Sequence, residues 1–425
     1  MLMRGRLKYY WIIPVICGLM LISCLLFGGT VITIYTAVIA EDMGMSRSEF
    51  SLFFTIRAIV SFILNLEMIC LMRHLRLKTI VVWGLAMLAA MLFLLSVSHS
   101  LALMCFAGIL GGAANTFTGV VPVSLIVRNW FKTSQGMVLA LVMSASGIGG
   151  VVINPVLSII IGKNGWRFGF QMLVSVVLII LVMTMLLLKA EPGEAGLLPY
   201  GAKKKEPNEN RPPKTESSLS LFGKSKEESN LRIFILMNVF FSMGALSLYS
   251  NISSVLMEMD FSIVFSTGIA ISVISLANCA GKFIMGTIND RYSTKNMLLV
   301  WYGLCPLAGL FFLLYRGNTS AVALAGAALI GSIGGIYTVP TPLVSMRLFA
   351  DNDTYTCVVS YCTAASSLSS AFSGLLFHGF YDYTGTYKGA LFFTVVLSMM
   401  CYYLVIRLLH GNRTVFFTNA RQINR

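Results

Sequence analysis

Long apolar runs separated by short polar segments dominate the sequence. Twelve of these runs are long enough to cross the hydrocarbon core of a bilayer, which takes about 20 helical residues. The predicted spans, numbered helix 1 to helix 12, are 9–38, 48–71, 79–98, 101–127, 134–161, 167–188, 233–257, 262–288, 296–315, 319–346, 355–380 and 388–410. Because the number of spans is even, we expect both chain ends on the same side of the membrane.

The distribution of charge predicts the orientation. With the N-terminus in the cytoplasm, 24 of the 31 Lys and Arg residues fall in cytoplasmic segments and five in external loops. Such a bias places both termini in the cytoplasm. Only 11% of the residues are charged, against about 25% in a soluble domain, and 57% are hydrophobic. We therefore expect an all-α, multi-pass protein of the cell membrane, of the bacterial inner-membrane type. The net charge of +14 is explained by anchoring loops and need not indicate nucleic acid.

Three landmarks recur at a nearly constant spacing and indicate an internal repeat. They are the pairs Arg73 and Arg291, Arg128 and Arg347, and Gly165 and Gly385, at offsets of 218, 219 and 220 residues. Each half has six spans, so the halves are predicted to be parallel repeats related by an axis along the membrane normal. We expect two pseudo-symmetric six-helix bundles, 1–188 and 233–425, and a solute site between them near the bilayer midplane.

The segment 189–232 joins the predicted bundles on the cytoplasmic side. It is charged, contains several prolines and is poor in apolar residues around Lys203–Lys214. A segment of this composition buries little surface, so we predict a solvated, mobile tether between the halves.

The loop after helix 8 carries a familiar motif. Gly286 is followed four residues later by Asp290 and Arg291, and then by Lys295. This pattern resembles the loop signature of the major facilitator superfamily. The resemblance covers the whole chain and implies the major facilitator fold, with transport by alternating access. It also implies gating or loop-motif roles for Gly286, Asp290, Arg291 and Arg128.

A narrower resemblance follows from four further motifs. They are Arg128-Asn-Trp-Phe131, the run Ser144–Gly150, Asn154-Pro155 and Gly165-Trp-Arg167. Together they resemble the branch that contains the oxalate/formate exchangers and the monocarboxylate transporters. The helix 8 cation of that branch is present as Lys282. The acid of the monocarboxylate transporters is replaced by Asn278, and the second cation of the oxalate exchangers, in helix 11, is missing. The exact substrate and any coupling to protons therefore stay open.

Two cations lie inside predicted spans, Arg57 in helix 2 and Lys282 in helix 8. A charged residue in this position suggests a function, because without a binding partner nothing offsets the free-energy cost of removing its charge from water. Both are candidate substrate ligands, although either could instead hold a structural partner, and Lys282 could extend toward the cytoplasmic interface. Five polar residues on helices that line the cavity in the superfamily complete the candidate site: Tyr35, Asn115, Tyr249, Asn251 and Tyr337.

These observations predict a secondary active or facilitative transporter for a small organic anion, a mono- or dicarboxylate, working by exchange or uniport. The alternative is a carrier or efflux pump for a neutral or amphipathic compound. An enzyme is not expected, because no HExxH, GxSxG or P-loop motif occurs. The nine cysteines lie in apolar runs without a CxxC pair, so neither a metal nor a cofactor is expected. The expected partners are a small anionic solute and the lipid bilayer around a monomer.

Overall fold

The computed structural model describes residues 2–45, 47–201, 225–258, 266–315, 320–349 and 352–412, and these are almost entirely helical. In the first half, helix 1 comprises Leu2–Leu21, a π-helical stretch Ile22–Thr30 and Val31–Asp42. Helix 2 comprises Arg47–Leu66 and Met68–His74, and helix 3 is Leu77–Val97. Helix 4 comprises Leu101–Thr118 and Val120–Trp130, helix 5 is Gln135–Asn164 and helix 6 is Trp166–Leu187.

The second half repeats this arrangement. Helix 7 comprises Ser225–Phe241, a π-helical stretch Ser242–Leu246 and Ser247–Glu258. Helix 8 is Ser266–Arg291 and helix 9 is Thr294–Leu314. Helix 10 comprises Ser320–Ile333 and Pro340–Leu348, helix 11 is Asn352–Thr384 and helix 12 is Lys388–Gly411. Wherever the structure describes them, the twelve predicted spans are mainly helical, which confirms the predicted all-α membrane architecture.

The composition of the helices matches a bilayer. Within the described ranges, eight helices are long and apolar enough to span a membrane, and helix 2 makes a ninth if its two parts are taken together. Large apolar side chains point outward, among them Leu186, Leu314 and Phe392. In water such a surface would favour aggregation, whereas in a bilayer it contacts lipid.

Departures from regular helix occur at repeat-related positions. Helices 1 and 7 each contain a π-helical stretch, and helices 4 and 10 are each interrupted. Helix 4 breaks at Gly119, where a Cβ atom would collide with the carbonyl oxygen of Asn115. Helix 10 is interrupted over 334–339, which includes the position 218 residues after Gly119. Departures of this kind are frequent at functional sites.

Glycines allow close helix packing, as expected for membrane bundles. A Cβ atom on Gly112 of helix 4 would lie 2.6 Å from the carbonyl oxygen of Arg57, and one on Gly331 of helix 10 would lie 2.5 Å from that of Ile274. Between the halves, a Cβ atom on Gly147 of helix 5 would lie 3.2 Å from the Cβ atom of Cys279 in helix 8.

The first part of the predicted tether is packed against the protein. Residues 188–201, which we call the strap, contain a 3₁₀ turn at Pro192–Ala195 and form an isolated parallel bridge between Tyr200 and Phe131. This packing differs from the solvated tether that the composition predicted. Helix 7 also begins at Ser225, earlier than predicted, and residues 202–224 of the tether lie outside the described residues.

Candidate functional site

Arg57 lies in a cradle of glycines. A Cβ atom on Gly29 would be 3.7 Å from both terminal guanidinium nitrogens, and one on Gly28 would be 3.9 Å from one of them. The Cδ atom of Arg57 lies against Gly111 of helix 4. The guanidinium group therefore rests on the π-helical stretch of helix 1, where the glycines leave room for it.

Lys282 is buried, with 4% of its surface exposed. Its Nζ atom donates to the carbonyl oxygen of Met143 at 3.1 Å and to Oγ of Ser146 at 3.5 Å, both on helix 5 of the other half. The side chain thus joins the two halves and does not extend to the cytoplasmic interface. Within the described residues, no carboxylate lies at ion-pair distance from Lys282 or Arg57.

The interruption of helix 10 links the two cations. Tyr337 lies in it, near Arg57 and Tyr249, and the ring of Tyr249 lies against Gly334 of the same interruption. The Tyr249 hydroxyl accepts a hydrogen bond from Nδ2 of Asn278 at 3.3 Å. Lys282 is one turn beyond Asn278 on helix 8, and its Cγ atom would be 2.6 Å from a Cβ atom on Gly335. We refer to Arg57, Tyr249, Asn278, Lys282 and Tyr337 as the central cluster.

Asn115 belongs to an adjoining polar network. Its Nδ2 atom donates to Oγ of Ser61 at 3.2 Å, and its Oδ1 atom accepts from Sγ of Cys24 at 3.5 Å. Ser61 also contacts Thr116 at 3.2 Å and, across the halves, Ser367 of helix 11 at 3.4 Å. The network adjoins the central cluster, because Cys24 lies on the same π-helical stretch of helix 1 as Gly28, which is next to the guanidinium group of Arg57.

Two predicted residues have other surroundings. Tyr35 packs against an apolar core within the first half, at the external end of helix 1. Nδ2 of Asn251 donates to the carbonyl oxygen of Ser247 in its own helix at 2.9 Å. The structure brings Arg57, Tyr249, Lys282 and Tyr337 together, with Asn115 next to them, whereas the contacts described for Tyr35 and Asn251 are not with this group.

The predicted loop motif forms a contact between the halves. The Asp290 carboxylate accepts hydrogen bonds from the backbone N–H groups of Gly136 and Met137, at 3.2 and 2.7 Å. Both amides lie in the first turn of helix 5, so the carboxylate occupies the positive end of that helix dipole. Gly286 lies against Gly136 and Ala140, where a side chain would collide. Arg291, the next residue of the motif, is exposed.

Arg128 forms a second contact across the halves, although only 6% of its surface is exposed. Its Nη2 atom donates to the carbonyl oxygen of Phe349 at 3.3 Å, and its guanidinium carbon lies 4.3 Å from the ring centroid of Tyr355. An apolar cluster next to it joins Met68 and Phe117 of the first half to Tyr355 and Val359 of the second. We call these contacts, together with those of Asp290, the cytoplasmic gate; they join the two halves in this structure.

Several contributors to the site were not predicted from the sequence. Gly28 and Gly29 are a glycine pair in an otherwise apolar helix, and Ser61 lies four residues after Arg57, on the same helix face. These two signals could have been used. Asn278 was noted only as a departure from a family pattern. The carbonyl oxygen of Met143 could not be predicted from the sequence, because every residue type has a backbone carbonyl group.

These features define a multi-pass carrier with a polar centre between two repeated halves. The sequence profile of the Major Facilitator Superfamily matches residues 16–374, and the chain belongs to this superfamily of secondary transporters. Among solved structures, the chain is similar to a variant of the E. coli fucose:proton symporter FucP. The TM-score is 0.65 at 13% sequence identity, covering 94% of this chain and 99% of that one. No curated protein sequence matches the chain.

Proposed function

We propose that the chain transports a small organic anion, a mono- or dicarboxylate, by exchange or uniport, and that Arg57 and Lys282 bind it. The observation that carries this proposal is the pair of cations, Arg57 and Lys282, inside membrane-spanning helices. Neither has a carboxylate partner among the described residues. A Lys or Arg at the centre of a spanning helix costs roughly 2.5–3.5 kcal/mol on insertion scales. An anion that visits the site would offset this cost.

The surroundings of the cations suit a small solute. The glycines beside Arg57 place no side chain against its guanidinium group, and a guanidinium group can bind a carboxylate with two parallel hydrogen bonds. Tyr249, Asn278 and Tyr337 add hydroxyl and amide groups beside the cations. The resemblance to the oxalate/formate and monocarboxylate branch points to the same substrate class.

Alternating access requires the halves to separate on one side at a time. Among the described residues, hydrogen bonds between the halves occur at the cytoplasmic gate, at Lys282 and between Ser61 and Ser367. This distribution supports a state in which the cytoplasmic path is closed. We infer that the anion reaches the central cluster from the opposite side in this state.

One observation favours the second candidate, a neutral polar or amphipathic solute. Nζ of Lys282 already has two oxygen acceptors on helix 5, so it could serve as a structural link between the halves. A neutral solute would then contact the remaining polar groups. Because the structural neighbour is a fucose:proton symporter, a sugar is a suitable test compound.

Counterflow in proteoliposomes tests the proposal. The purified protein would be loaded in turn with lactate, pyruvate, oxalate, formate and fucose, in wild type and in Lys282→Ala. Removing a hydrogen bond to a charged group weakens binding by about 1.5–3 kcal/mol. We therefore expect apparent anion affinity to fall about 10- to 100-fold. Lys282→Arg should retain more activity than Lys282→Ala, and Lys163→Ala, which removes an exposed cation, is the matched control.

The outcomes separate the two candidates. Anion counterflow that is lost in Lys282→Ala and kept in Lys163→Ala supports the anion proposal. Unchanged anion uptake in Lys282→Ala removes Lys282 from the site. Counterflow of fucose without counterflow of any acid contradicts the anion assignment in favour of a neutral solute.

A further inference from the structure

The strap is attached to the first half by a continuous series of contacts. Nε1 of Trp130, the last residue of helix 4, donates to the carbonyl oxygen of Lys189 at 2.9 Å. The backbone of Tyr200 donates to the carbonyl oxygen of Trp130 at 2.8 Å and accepts from the amide of Lys132 at 2.9 Å. Helix 1 contributes Tyr10, whose hydroxyl donates to the carbonyl oxygen of Leu198 at 2.6 Å.

Aromatic packing reinforces these hydrogen bonds. The ring of Tyr10 makes edge contacts with Trp130 at 5.8 Å and with Tyr200 at 5.6 Å. Trp130 itself is fully buried. The strap therefore connects helix 1, the end of helix 4 and the end of helix 6 from the cytoplasmic side.

The segment that holds the strap also forms the gate. Arg128, two residues before Trp130, contacts Phe349 and Tyr355 of the second half. Asn129 contacts both partners: its Nδ2 atom donates to the carbonyl oxygen of Ala190 in the strap at 3.5 Å, and its Oδ1 atom accepts from Asn352 of the second half at 3.4 Å. The last turn of helix 4 therefore contacts both the strap, through Asn129 and Trp130, and the second half, through Arg128 and Asn129.

We propose that the strap braces the cytoplasmic gate, so that undocking it favours opening of the transporter to the cytoplasm. The last turn of helix 4 directs Arg128 toward Tyr355 because the strap holds Trp130 and Phe131 in place through its hydrogen bonds and the bridge to Tyr200. Without the strap this turn gains freedom, and helix ends without tertiary contacts fray readily. The proposal concerns the gate alone and holds for either candidate solute.

Cys357 offers a natural reporter of the gate. It lies in the second turn of helix 11, close to Tyr355, and only 3% of its surface is exposed. A charged, membrane-impermeant maleimide added to inside-out vesicles would reach it only when the cytoplasmic gate opens. The rate is measured by mass spectrometry of the Cys357 peptide, with buried Cys401 in the second half as an internal reference for unfolding.

Trp130→Phe and Tyr10→Phe each remove one hydrogen bond to the strap and keep an aromatic ring. We expect each to raise Cys357 labelling about two- to tenfold, the range that the loss of one hydrogen bond produces. The matched control is Trp301→Phe, which removes an equivalent indole hydrogen bond, to the carbonyl oxygen of Ser332 at 3.2 Å, away from the strap. Its labelling should stay at the wild-type rate.

A third variant acts at the far end of the strap and protects the test against misfolding of the other two. Gly201 has φ +80°, and a Cβ atom there would collide with Thr133, so Gly201→Ala should displace the strap. Faster labelling of Cys357 but not of Cys401 in the strap variants supports the proposal. It is overturned if all three strap variants label Cys357 at the wild-type rate, or if Trp301→Phe accelerates labelling equally.

Discussion

The two halves share the irregular helices at their centre but differ at their cytoplasmic edge. In the second half, helix 8 continues without a break to Arg291 and presents Asp290 to the first turn of helix 5. In the first half, helix 2 breaks at Glu67 and bends by 58° between Leu52–Leu66 and Met68–His74. The position 218 residues before Asp290 is Met72, which cannot act as a carboxylate cap.

The two seams between the halves are consequently held by different forces. At the seam of helices 5 and 8, a carboxylate binds backbone amides and a buried lysine binds a carbonyl oxygen. Near the seam of helices 2 and 11, the bent end of helix 2 buries Met68 against aromatic and branched residues. The comparison indicates that the repeat retains the irregular central helices, whereas the two seams are held by different contacts.

The largest difference between the two seams should appear when a bulky side chain is introduced, because the seam of helices 5 and 8 has no room for one. A side chain at Gly286 would collide with Ala140 and come within 2.5 Å of the carbonyl oxygen of Gly136. Overpacking typically costs about 1–3 kcal/mol and more where backbone must move. Gly286→Leu should therefore abolish most transport, whereas Met68→Leu, at the repeat-related position, should retain it. Initial rates in proteoliposomes at matched protein content measure both, and a fully active Gly286→Leu variant would contradict the close approach.

A smaller effect is expected from the charge at the same seam. Asp290→Asn keeps the shape of the side chain but removes the negative charge from the N-terminus of helix 5, an interaction of typically about 0.3–1 kcal/mol. We expect alkylation of Cys279, which faces helix 5, to accelerate about two- to fivefold. High salt should reduce the difference between variant and wild type, because exposed charges are screened. Equal labelling of both proteins at low salt would show that the charge is dispensable.

Much of the fold could be predicted because bilayer physics leaves few options. Apolar runs predicted the twelve helices, and three landmarks predicted the repeat. The cations of the central cluster, Arg57 and Lys282, were visible because a charge inside an apolar run is rare. Their partners were harder to predict, since Met143 contributes only its backbone, and Gly28 and Gly29 contribute only space.

The strap shows why the remaining features escaped prediction. Averaged over 189–232, the linker is charged and proline-containing, and this average predicts a tether. Its first part, however, contains Leu197, Leu198 and Tyr200, and the ring of Tyr200 packs against Tyr10, which in turn contacts Trp130. These partners are distant in the sequence and meet only in the folded bundle, so local composition carried no information about the contact.

The smallest effect should distinguish two arginines at repeat-related positions. Arg128 crosses to the second half, where its planar guanidinium group stacks on Tyr355. Arg347 stays within its own half, where its Nη2 atom lies 3.5 Å from the carbonyl oxygen of Asn289. Lysine keeps the charge over the ring but loses the planar stacking of the guanidinium group, so only part of the cation–π contact, about 0.5–1 kcal/mol, is lost.

Arg128→Lys should therefore raise Cys357 labelling about two- to fivefold, and Arg347→Lys should leave it close to the wild-type rate. The pair is a fair comparison because both substitutions are chemically identical and both sites lie in the last turn of an interrupted helix. Equal acceleration by the two variants would mean that the cytoplasmic edge responds to any loss of arginine. The two halves would then differ in structure but not in function, because opening of the gate would not depend on whether the substituted arginine contacts the other half.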